Sequence, residues 1–246
     1  MKNFVIDINA DVGEGIGNEP ELLPYLSSCN IACGGHAGDY ESMMKVVRLA
    51  KRHQVKIGAH PSFPDTKNFG RHVMKISNDK LFKSLKTQIE SLLQVLKEFD
   101  LPINHIKPHG ALYNLAAKDE TTSSIIIKVI KNIGLPISLY APYNSVISKL
   151  AIEENINVEF EGFADRNYNQ DLSLVSRQKN NALITDSDTV FMHVFNMISQ
   201  QKITAINGVE APIKVNTICV HGDTPNAVKL VSKIHEKLLK NNITIK

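Results

Sequence analysis

Short apolar runs rich in Val and Ile recur along the chain, and longer segments with helical periodicity separate most of them. Gly, Pro or Asn bound these runs, as is typical of buried strands. The predicted strands lie near residues 4–10, 28–33, 55–60, 104–109, 137–141, 157–163 and 216–221. The predicted helices cover residues 40–53, 78–99, 119–132, 143–154, 187–201 and 225–240.

This alternation of strands and helices predicts an α/β fold in which a parallel sheet is covered by helices. No linker-like stretch divides the 246 residues, so we expect a single domain over residues 1–246. About seven strand–helix units fit one closed or nearly closed β/α barrel. The irregular stretches 11–27, 61–76 and 164–186 all follow strands. Barrels carry their substrate-contacting loops at that position.

Two helix starts carry clear capping signals. Asp39 precedes a helical segment and is a good N-cap residue. Thr224 followed by Pro225 predicts an N-cap and a first helical position for the last helix.

Composition and charge exclude several classes of function. The chain is 43% hydrophobic and 22% charged, and its net charge of +3 is spread along the sequence. This pattern predicts neither a nucleic-acid partner nor a membrane partner. No signal-peptide pattern precedes the first strand, and the three cysteines have the context of buried thiols. We therefore expect a cytoplasmic protein.

Four of the apolar runs break off at a histidine flanked by glycine or proline: His36, His60, His109 and His221. The carboxyl ends of barrel strands are where active sites form. Repetition of titratable groups at this position predicts an enzyme. A histidine in a glycine turn can also be an ordinary loop residue, and that alternative stays open for His36.

The first strand ends in carboxylates rather than in a histidine. Alternation places Asp7, Asn9 and Asp11 on one face, and Glu14 follows closely. In a closed barrel that face is the interior, where polar groups are costly unless they bind each other, a metal or a substrate. The alternative is an edge strand with solvated acids.

The densest candidate cluster follows the fourth predicted strand. Lys107 lies at the end of an apolar run, where a desolvated ammonium would neutralise developing negative charge. His109 is a candidate acid or base. Tyr113 has the pattern of a packing residue with a tethered hydroxyl.

Other positions are candidates for binding. Backbone amides of the Gly34–Gly38 turn, in front of a helix, are suited to an anion. Arg71 and the adjacent pair Asp165 and Arg166 are candidates for holding a substrate carboxylate. Asp223 lies beside a predicted helix start, which favours its charge.

Six motifs in order resemble one known family. They are Asp7-x-Asn9-x-Asp11-x-Gly13-Glu14, Ala32-Cys33-Gly34-x-His36-Ala37-Gly38-Asp39, Gly58-Ala59-His60-Pro61 with Phe69-Gly70-Arg71, Lys107-Pro108-His109-Gly110-Ala111-Leu112-Tyr113-Asn114, Phe163-Ala164-Asp165-Arg166 and Cys219-Val220-His221-Gly222-Asp223-Thr224-Pro225. Over essentially the full chain the sequence resembles the LamB/YcsF family, also described as lactam utilisation proteins.

The resemblance implies a seven-stranded β/α barrel related to the glycoside hydrolase/deacetylase group. It also implies hydrolysis of 5-oxo-L-proline to L-glutamate coupled to ATP cleavage, with Mg²⁺ expected beside ATP and with partner subunits B and C. The sequence has no Walker A motif or kinase loop, so we expect the partners or an unfamiliar site to perform at least part of the nucleotide chemistry. The oligomeric state, including a homo-oligomer, stays open.

The residues and the resemblance together give a set of expected roles. The expected catalytic residues are Asp11, Glu14, His60, Lys107 and His109. The expected substrate-binding residues are Asn9, Gly34, His36, Arg71, Tyr113, Asp165, Arg166, His221 and Asp223.

The sequence departs from the family pattern at several positions. Members commonly carry a bulky Phe in place of Gly35 and a Gly in place of Ser62. The segment 174–182 lacks a Pro usual at Ser176 and a Gly usual near Asn181. We expect these differences to affect loop shape and the choice of lactam more than the reaction class.

Two other functions remain alternatives. One is a stand-alone metal-dependent deacetylase or amidohydrolase, with Asp11, His36 and either His60 or His109 as ligands. The other is a non-catalytic subunit that only presents the lactam to its partners. No metal is assigned from the sequence.

Overall fold

Parallel strands close into a barrel in the computed structural model, which describes residues 4–224 and 226–246. The strands of this part are β1 (Phe4–Val12), β2 (Ser28–Ala32), β3 (Lys56–His60), β4 (His105–Ile106), β5 (Ser138–Pro142), β6 (Val158–Phe163), β7 (Lys202–Thr204), β8 (Glu210–Pro212), β9 (Thr217–Cys219) and β10 (Ile243–Ile245). The α-helices are α1 (Glu19–Leu22), α2 (Tyr40–His53), α3 (Asn78–Glu98), α4 (Gly110–Ala116), α5 (Glu120–Ile133), α6 (Val146–Glu153), α7 (Ser187–Ser199) and α8 (Ala227–Lys240).

The barrel consists of β1 to β6 and β9, all paired in parallel. It closes because β1 pairs with β9 as well as with β2. The short β10 adds to β1 outside the ring, and β7 and β8 form an antiparallel hairpin. The expected seven-stranded β/α barrel is therefore confirmed.

Amphipathic helices surround the barrel and cover its apolar exterior. In α2 the buried positions Met43, Val46, Val47 and Ala50 lie on one face. They recur at the spacing that the helical period requires. None of the helices in the described ranges is long and apolar enough to cross a membrane. The three cysteines are buried and free.

The two predicted caps have different outcomes. Asp39 caps α2 and accepts a hydrogen bond from the Ser42 amide, as expected. The prediction for Thr224 is wrong, because its hydroxyl donates to the buried Asp165 carboxylate and α8 begins at Ala227. A hydrogen bond to a buried carboxylate is stronger than one to a neutral group at a helix terminus. The predicted helical position of Pro225 lies outside the described residues.

Short elements were missing from the prediction. Helix α4, strand β10 and the hairpin of β7 and β8 are too short to show a clear period in sequence. The fourth strand is also shorter than expected, since β4 covers only His105–Ile106. The chain keeps its ladder contacts beyond it, and the Lys107 amide donates to the Ala59 carbonyl at 2.9 Å.

Asp7 lies inside the barrel with an incomplete set of partners. Ser28 and Thr217 donate hydrogen bonds to its Oδ1 at 2.8 and 2.6 Å. Its Oδ2 is buried and has no partner among the described residues. Burial raises the pKa of Asp7 to about 6, although the two hydroxyls act in the opposite direction. The charged form is therefore unfavourable in the folded state.

We expect Asp7→Asn to change how stability depends on pH. The folded pKa lies above the unfolded value of 3.8, so the folded state keeps this proton longer and loses stability as pH rises through about 6. Relative to the variant, the wild-type free energy of unfolding should fall by about 2 kcal/mol between pH 4 and 7. Urea unfolding of both proteins across this range measures the difference. Parallel curves for the two proteins would contradict the assignment.

Candidate active site

A cavity of about 750 Å³ opens at the carboxyl ends of the barrel strands. Side chains at or just after the carboxyl ends of β1, β3, β4, β6 and β9 reach it, since the carboxyl ends of parallel strands all face the same end of a barrel. They include Asp11, His60, Lys107, Phe163 and His221. The cavity therefore gathers polar groups that lie far apart in sequence.

Lys107 lies at the base of the cavity and bridges two carboxylates. Its Nζ is 2.8 Å from Asp11 Oδ1 and 2.9 Å from Glu161 Oε1. It also lies 3.1 Å from Cys219 Sγ and 5.3 Å from the Phe163 ring centroid. The side chain is 2% exposed, so this ammonium is held by protein groups rather than by water.

Burial and neighbouring charges shift the pKa values of Lys107 and Asp11 in opposite directions. Burial would lower the pKa of Lys107, but the nearby Asp11, Cys219 and Glu161 hold it well above its usual range. Burial would raise the pKa of Asp11, but His60 and Lys107 hold it well below its usual range. Both groups are charged at neutral pH.

Three imidazoles and one carboxylate converge beside Asp11. Glu14 Oε1 is 2.8 Å from His36 Nε2, 3.4 Å from His109 Nδ1 and 3.9 Å from His60 Nε2. His109 Nδ1 is 3.0 Å from His60 Nε2. These four atoms all lie within 4.8 Å of one another. We call Glu14, His36, His60 and His109 the histidine cluster.

Backbone carbonyls fix the outer nitrogens of two of these rings. His60 Nδ1 is 2.7 Å from the Lys107 carbonyl oxygen, and His109 Nε2 is 2.9 Å from the Phe69 carbonyl oxygen. His36 is stacked on His109, with ring centroids 3.6 Å apart. The rings are thus held in place by hydrogen bonds and by stacking.

Burial is the main cause of the shifted pKa values of His36, His109 and Glu14. It lowers the pKa of His36 to about 4 and holds that of His109 well below its usual range, with His60 adding to the effect on His109. Burial, and then the charge of Asp11, raise the pKa of Glu14 to about 7. The His36 and His109 rings are therefore neutral at neutral pH.

A fourth histidine, His221, lines the cavity and is paired with an acid. His221 Nδ1 is 2.9 Å from Asp165 Oδ1, and Thr224 donates to the other carboxylate oxygen. Burial would raise the pKa of Asp165, but His221 and Thr224 hold it below its usual value. The His221 ring stacks on Phe163. This arrangement leaves Nε2 of His221 available to a molecule in the cavity.

The rim of the cavity carries a charged group of three residues. Asp223 Oδ2 is 2.6 Å from Arg71 and 3.1 Å from Arg177. The Arg71 side chain is 45% exposed, so it is accessible to a ligand. Arg177 was not predicted, because nothing in its surrounding sequence distinguishes it from a surface arginine.

Arg166 does not form the expected carboxylate clamp with Asp165. Its guanidinium donates to the Val175 and Ala182 carbonyl oxygens, at 2.6 and 3.4 Å. Asp165 binds His221 and Thr224 instead. Arg166 therefore holds the long loop after β6 in place beside the cavity.

Two buried oxygen atoms at the cavity lack partners among the described residues: the Tyr113 hydroxyl and Glu161 Oε2. The Tyr113 hydroxyl, expected to be tethered, lies near Glu161 without a hydrogen bond of normal geometry. Burial and the charge of Glu161 hold the pKa of Tyr113 well above its usual range. Unsatisfied buried polar atoms are uncommon and often mark a ligand position.

The sequence profile of the LamB/YcsF family matches residues 6–246. The chain belongs to the LamB/YcsF family. Two relatives, each named as the A subunit of 5-oxoprolinase, support this. The one from Staphylococcus aureus strain JH9 is 40% identical over 245 residues, covering 98% of both chains. The one from Alkaliphilus metalliredigens is 42% identical over 247 residues, covering 98% of this chain and 96% of the relative.

A solved structure of the family agrees with the barrel. The lactam utilization protein from Thermus thermophilus aligns with a TM-score of 0.92 and 33% identity, covering 99% of both chains. A family 4 carbohydrate esterase from Streptomyces lividans aligns with a TM-score of 0.54 and 10% identity, over 100% of this chain and 93% of the esterase. The second similarity concerns the fold alone.

The structure explains two departures from the LamB/YcsF pattern together. A Cβ atom at Gly35 would lie 2.3 Å from Gln88 Oε1 and from Ser62 Oγ. Gln88 also exchanges two hydrogen bonds with the Ser62 backbone, at 2.9 and 3.0 Å. Ser62 and Gln88 thus fill the space into which a larger residue at position 35 would extend.

We expect Gly35→Ala to destabilise the protein by about 1–3 kcal/mol, because the added methyl overpacks this contact. Its backbone φ is not in the left-handed region, so the effect is steric. Urea unfolding measures the loss. In a Ser62→Gly, Gln88→Ala background the same change should cost less than about 0.5 kcal/mol. An equal cost in both backgrounds would contradict the steric explanation.

Most predicted residues meet in the cavity, but Gly34 does not. The Gly34 amide donates to the Ala37 carbonyl at 2.8 Å, so this amide is not available to an anion. His36, which the sequence left undecided, points into the histidine cluster. Asn9 lies deeper and donates to Glu161 at 3.0 Å.

The main residue that sequence reasoning missed is Glu161. It lies in β6 and shares a strand face with Glu159, since Val158, Phe160 and Gly162 alternate with the two acids. Two acids at this spacing in a barrel strand were an available signal. Asn30 was also missed; it donates to Asn9 and to Asp11, both at 2.8 Å.

Proposed function

We propose that this chain is the A component of an ATP-dependent 5-oxoprolinase, which converts 5-oxo-L-proline to L-glutamate. The observation that carries the proposal is the full-length similarity, at 40–42% identity, to relatives named as that component of 5-oxoprolinase. The lactam utilization protein of Thermus thermophilus supports a lactam substrate. The polar groups that line the cavity are compatible with a lactam substrate.

The base of the cavity suits a cyclic amide. A lactam offers one N–H donor and one carbonyl acceptor. Glu161 Oε2 is a buried acceptor without a partner among the described residues, and the Tyr113 hydroxyl is a donor in the same condition. We assign the lactam N–H to Glu161 and the carbonyl oxygen to Tyr113, because binding there satisfies both atoms.

The substrate carboxylate fits the rim. Arg71 is exposed, and its guanidinium already binds a carboxylate, that of Asp223. Guanidinium groups bind carboxylates through two parallel hydrogen bonds. We assign the substrate carboxylate to Arg71, with Arg177 retaining Asp223.

Ring opening requires water to add to the amide carbon and the ring nitrogen to leave with a proton. Asp11 Oδ1 is held by Lys107 and Asn30, so we assign removal of a proton from water to Oδ2, which lies 3.3 Å from His60 Nε2. Lys107 stabilises negative charge near the amide. His221, oriented by Asp165, donates a proton to the ring nitrogen as the C–N bond breaks.

ATP supplies the driving force in this proposal. Phosphorylation of the amide oxygen activates the carbon, water adds to it, and C–N cleavage leaves an acyl phosphate. Hydrolysis of that acyl phosphate gives glutamate and phosphate. The carboxylates Asp11, Glu14 and Glu161 surround Lys107 and the histidine cluster, which disfavours a triphosphate at the base of the cavity. We therefore assign both nucleotide binding and phosphorylation of the lactam to subunits B and C, with Mg²⁺ accompanying ATP there. The phosphorylated lactam then enters the cavity of this chain, where water adds and the C–N bond breaks.

The reducing cytoplasm is the proposed location. The three buried free thiols are compatible with it.

The test is a glutamate-release assay with 5-oxoproline, ATP and subunits B and C. We expect release only when this chain and both partners are present. No release from the complete mixture would overturn the proposal. Activity of the chain alone that chelators abolish would instead support a stand-alone metal-dependent amidohydrolase. Full turnover by an Asp11→Ala variant that still binds its partners would support a non-catalytic lactam-binding subunit.

A further inference from the structure

The hydrogen bonds of His60 and His109 determine where their protons lie. A carbonyl oxygen only accepts, so His60 Nδ1 donates to Lys107 and His109 Nε2 donates to Phe69. In neutral rings this leaves bare lone pairs on His60 Nε2 and His109 Nδ1, which face each other at 3.0 Å. Two lone pairs at this distance repel unless a cation or a proton lies between them.

A single proton does not satisfy the whole histidine cluster. Glu14 Oε1 also faces the gap, 3.4 Å from His109 Nδ1 and 3.9 Å from His60 Nε2. Three acceptors thus converge on one point, whereas a proton is shared by two. A metal ion accepts all of them at once.

The distances fit one ion. Zinc bound to imidazole at 2.0–2.1 Å in a tetrahedron places neighbouring ligand atoms about 3.3 Å apart. In the cluster four of the six separations between ligand atoms are 2.8, 3.0, 3.4 and 3.9 Å, and all six lie within 4.8 Å. These four separations bracket the tetrahedral value.

The groups around the histidine cluster resemble those that usually orient metal-binding residues. Metal-binding histidines usually donate their other N–H to a carbonyl or carboxylate, as His60 and His109 do here, whereas His36 Nδ1 is buried without a partner among the described residues. Phe69 holds its backbone at φ 54°, a left-handed conformation that is unfavourable for a bulky residue. The Phe69 carbonyl accepts the hydrogen bond that orients His109, so the strained backbone at Phe69 fixes the position of this ring.

We propose that Glu14, His36, His60 and His109 bind one divalent transition-metal ion of the zinc class. Three imidazoles and a carboxylate form a donor set suited to zinc, iron, cobalt or nickel rather than to magnesium or calcium. Asp11, a candidate ligand in the deacetylase alternative, borders this set. Its Oδ1 is held by Lys107 and Asn30, and its Oδ2 lies 3.3 Å from His60 Nε2.

Glu14 and His60 also line the cavity. A bound ion would polarise a substrate carbonyl or activate a water molecule there. The binding proposal stands apart from the proposed reaction, because it rests on the ligand geometry alone.

Metal binding by the full-length chain tests the proposal directly. After chelator treatment and dialysis against Zn²⁺, we expect about one equivalent of bound zinc per chain by elemental analysis. Co²⁺ added to the metal-free protein should give the intense visible bands of tetrahedral cobalt. They should appear without thiolate charge-transfer absorption, since the cluster contains no cysteine. Neither readout depends on enzyme activity.

Variants locate the site. We expect His60→Gln or His109→Gln to weaken zinc binding by more than about 100-fold. His72→Gln is the matched control, because His72 lines the same cavity but lies outside the cluster. Circular dichroism verifies that each variant folds. If a variant does not fold, the Co²⁺ spectrum of the wild-type chain decides.

Two results would overturn the proposal. One is less than about a tenth of an equivalent of zinc, with no tetrahedral cobalt spectrum, in the folded wild-type chain. The other is zinc binding by folded His60→Gln and His109→Gln variants equal to that of the His72→Gln control. Either result leaves the 5-oxoprolinase proposal intact, since glutamate release is measured separately.

Discussion

Lys107→Met is expected to destabilise the protein by about 3–5 kcal/mol, because it leaves two buried carboxylates without their cation. Lys107 Nζ is within 3 Å of both Asp11 and Glu161, and Glu161 is fully buried. Methionine has a similar volume, so lost charge rather than lost packing causes the effect. Urea unfolding at pH 7 measures the change in the free energy of unfolding.

Two further variants make this result specific. Lys131→Met removes a cation from an exposed pair with Glu154 and should cost less than about 1 kcal/mol. Adding Glu161→Gln to Lys107→Met should restore part of the loss, because one of the uncompensated charges is then removed. A Lys107→Met protein as stable as the wild type would show that the buried ion group does not contribute as the geometry indicates.

Asp165→Asn is expected to lower kcat for glutamate release by roughly 100- to 10,000-fold with KM changed little. The Asp165 carboxylate fixes the Nδ1–H of His221, which places Nε2 for proton donation to the ring nitrogen. An amide presents an N–H donor in place of one carboxylate oxygen and stabilises a charged imidazole less. Asp165 acts through His221, so it is a positioning residue. The measurement is the three-component assay over a range of 5-oxoproline concentrations.

Asp186→Asn is the matched control for this second prediction. Asp186 caps α7 on the exterior of the barrel, and asparagine is an equally good N-cap. It should leave both kinetic constants unchanged. A rise in KM with kcat unchanged in Asp165→Asn would instead indicate a role in substrate binding. Unchanged constants in both variants would contradict proton donation by His221.

The electrostatic arrangement explains why these two effects should be large. The cavity combines Lys107 with Asp11 and Glu161, and it also carries the pair of His221 and Asp165. Charges in such buried positions are poorly screened by solvent. A change of one charge there therefore affects stability and transition-state energy more than the same change at the surface.

Most of the acidic and basic residues of the site could be predicted from the sequence, but Glu161 could not. Asp11, Glu14, His60, Lys107 and His109 were all expected, because each follows an apolar run at a strand end, and all five reach the cavity or the histidine cluster. Glu161 was not expected, because an acid in the middle of a strand is equally typical of a solvent-facing position. Only closure of the barrel shows that it faces Lys107.

The same distinction applies to Thr224 and Gly34. Each has a local sequence signal, for a helix cap and for an anion-binding turn. In the structure, Thr224 donates to Asp165, 59 positions away, and the Gly34 amide donates within its own turn. A local signal states what a residue is able to do, whereas its partners in the fold decide what it does.

The sequence alone determined the strand–helix alternation, the barrel and the end of the barrel at which the chemistry lies. These follow from local periodicity and from the common direction of parallel strands, which are properties of short segments. Only the tertiary structure decided which groups meet, namely that Glu14 joins three histidines and that Lys107 lies between two acids. Such contacts depend on strand register and on loop paths, and these are set by packing across the whole barrel.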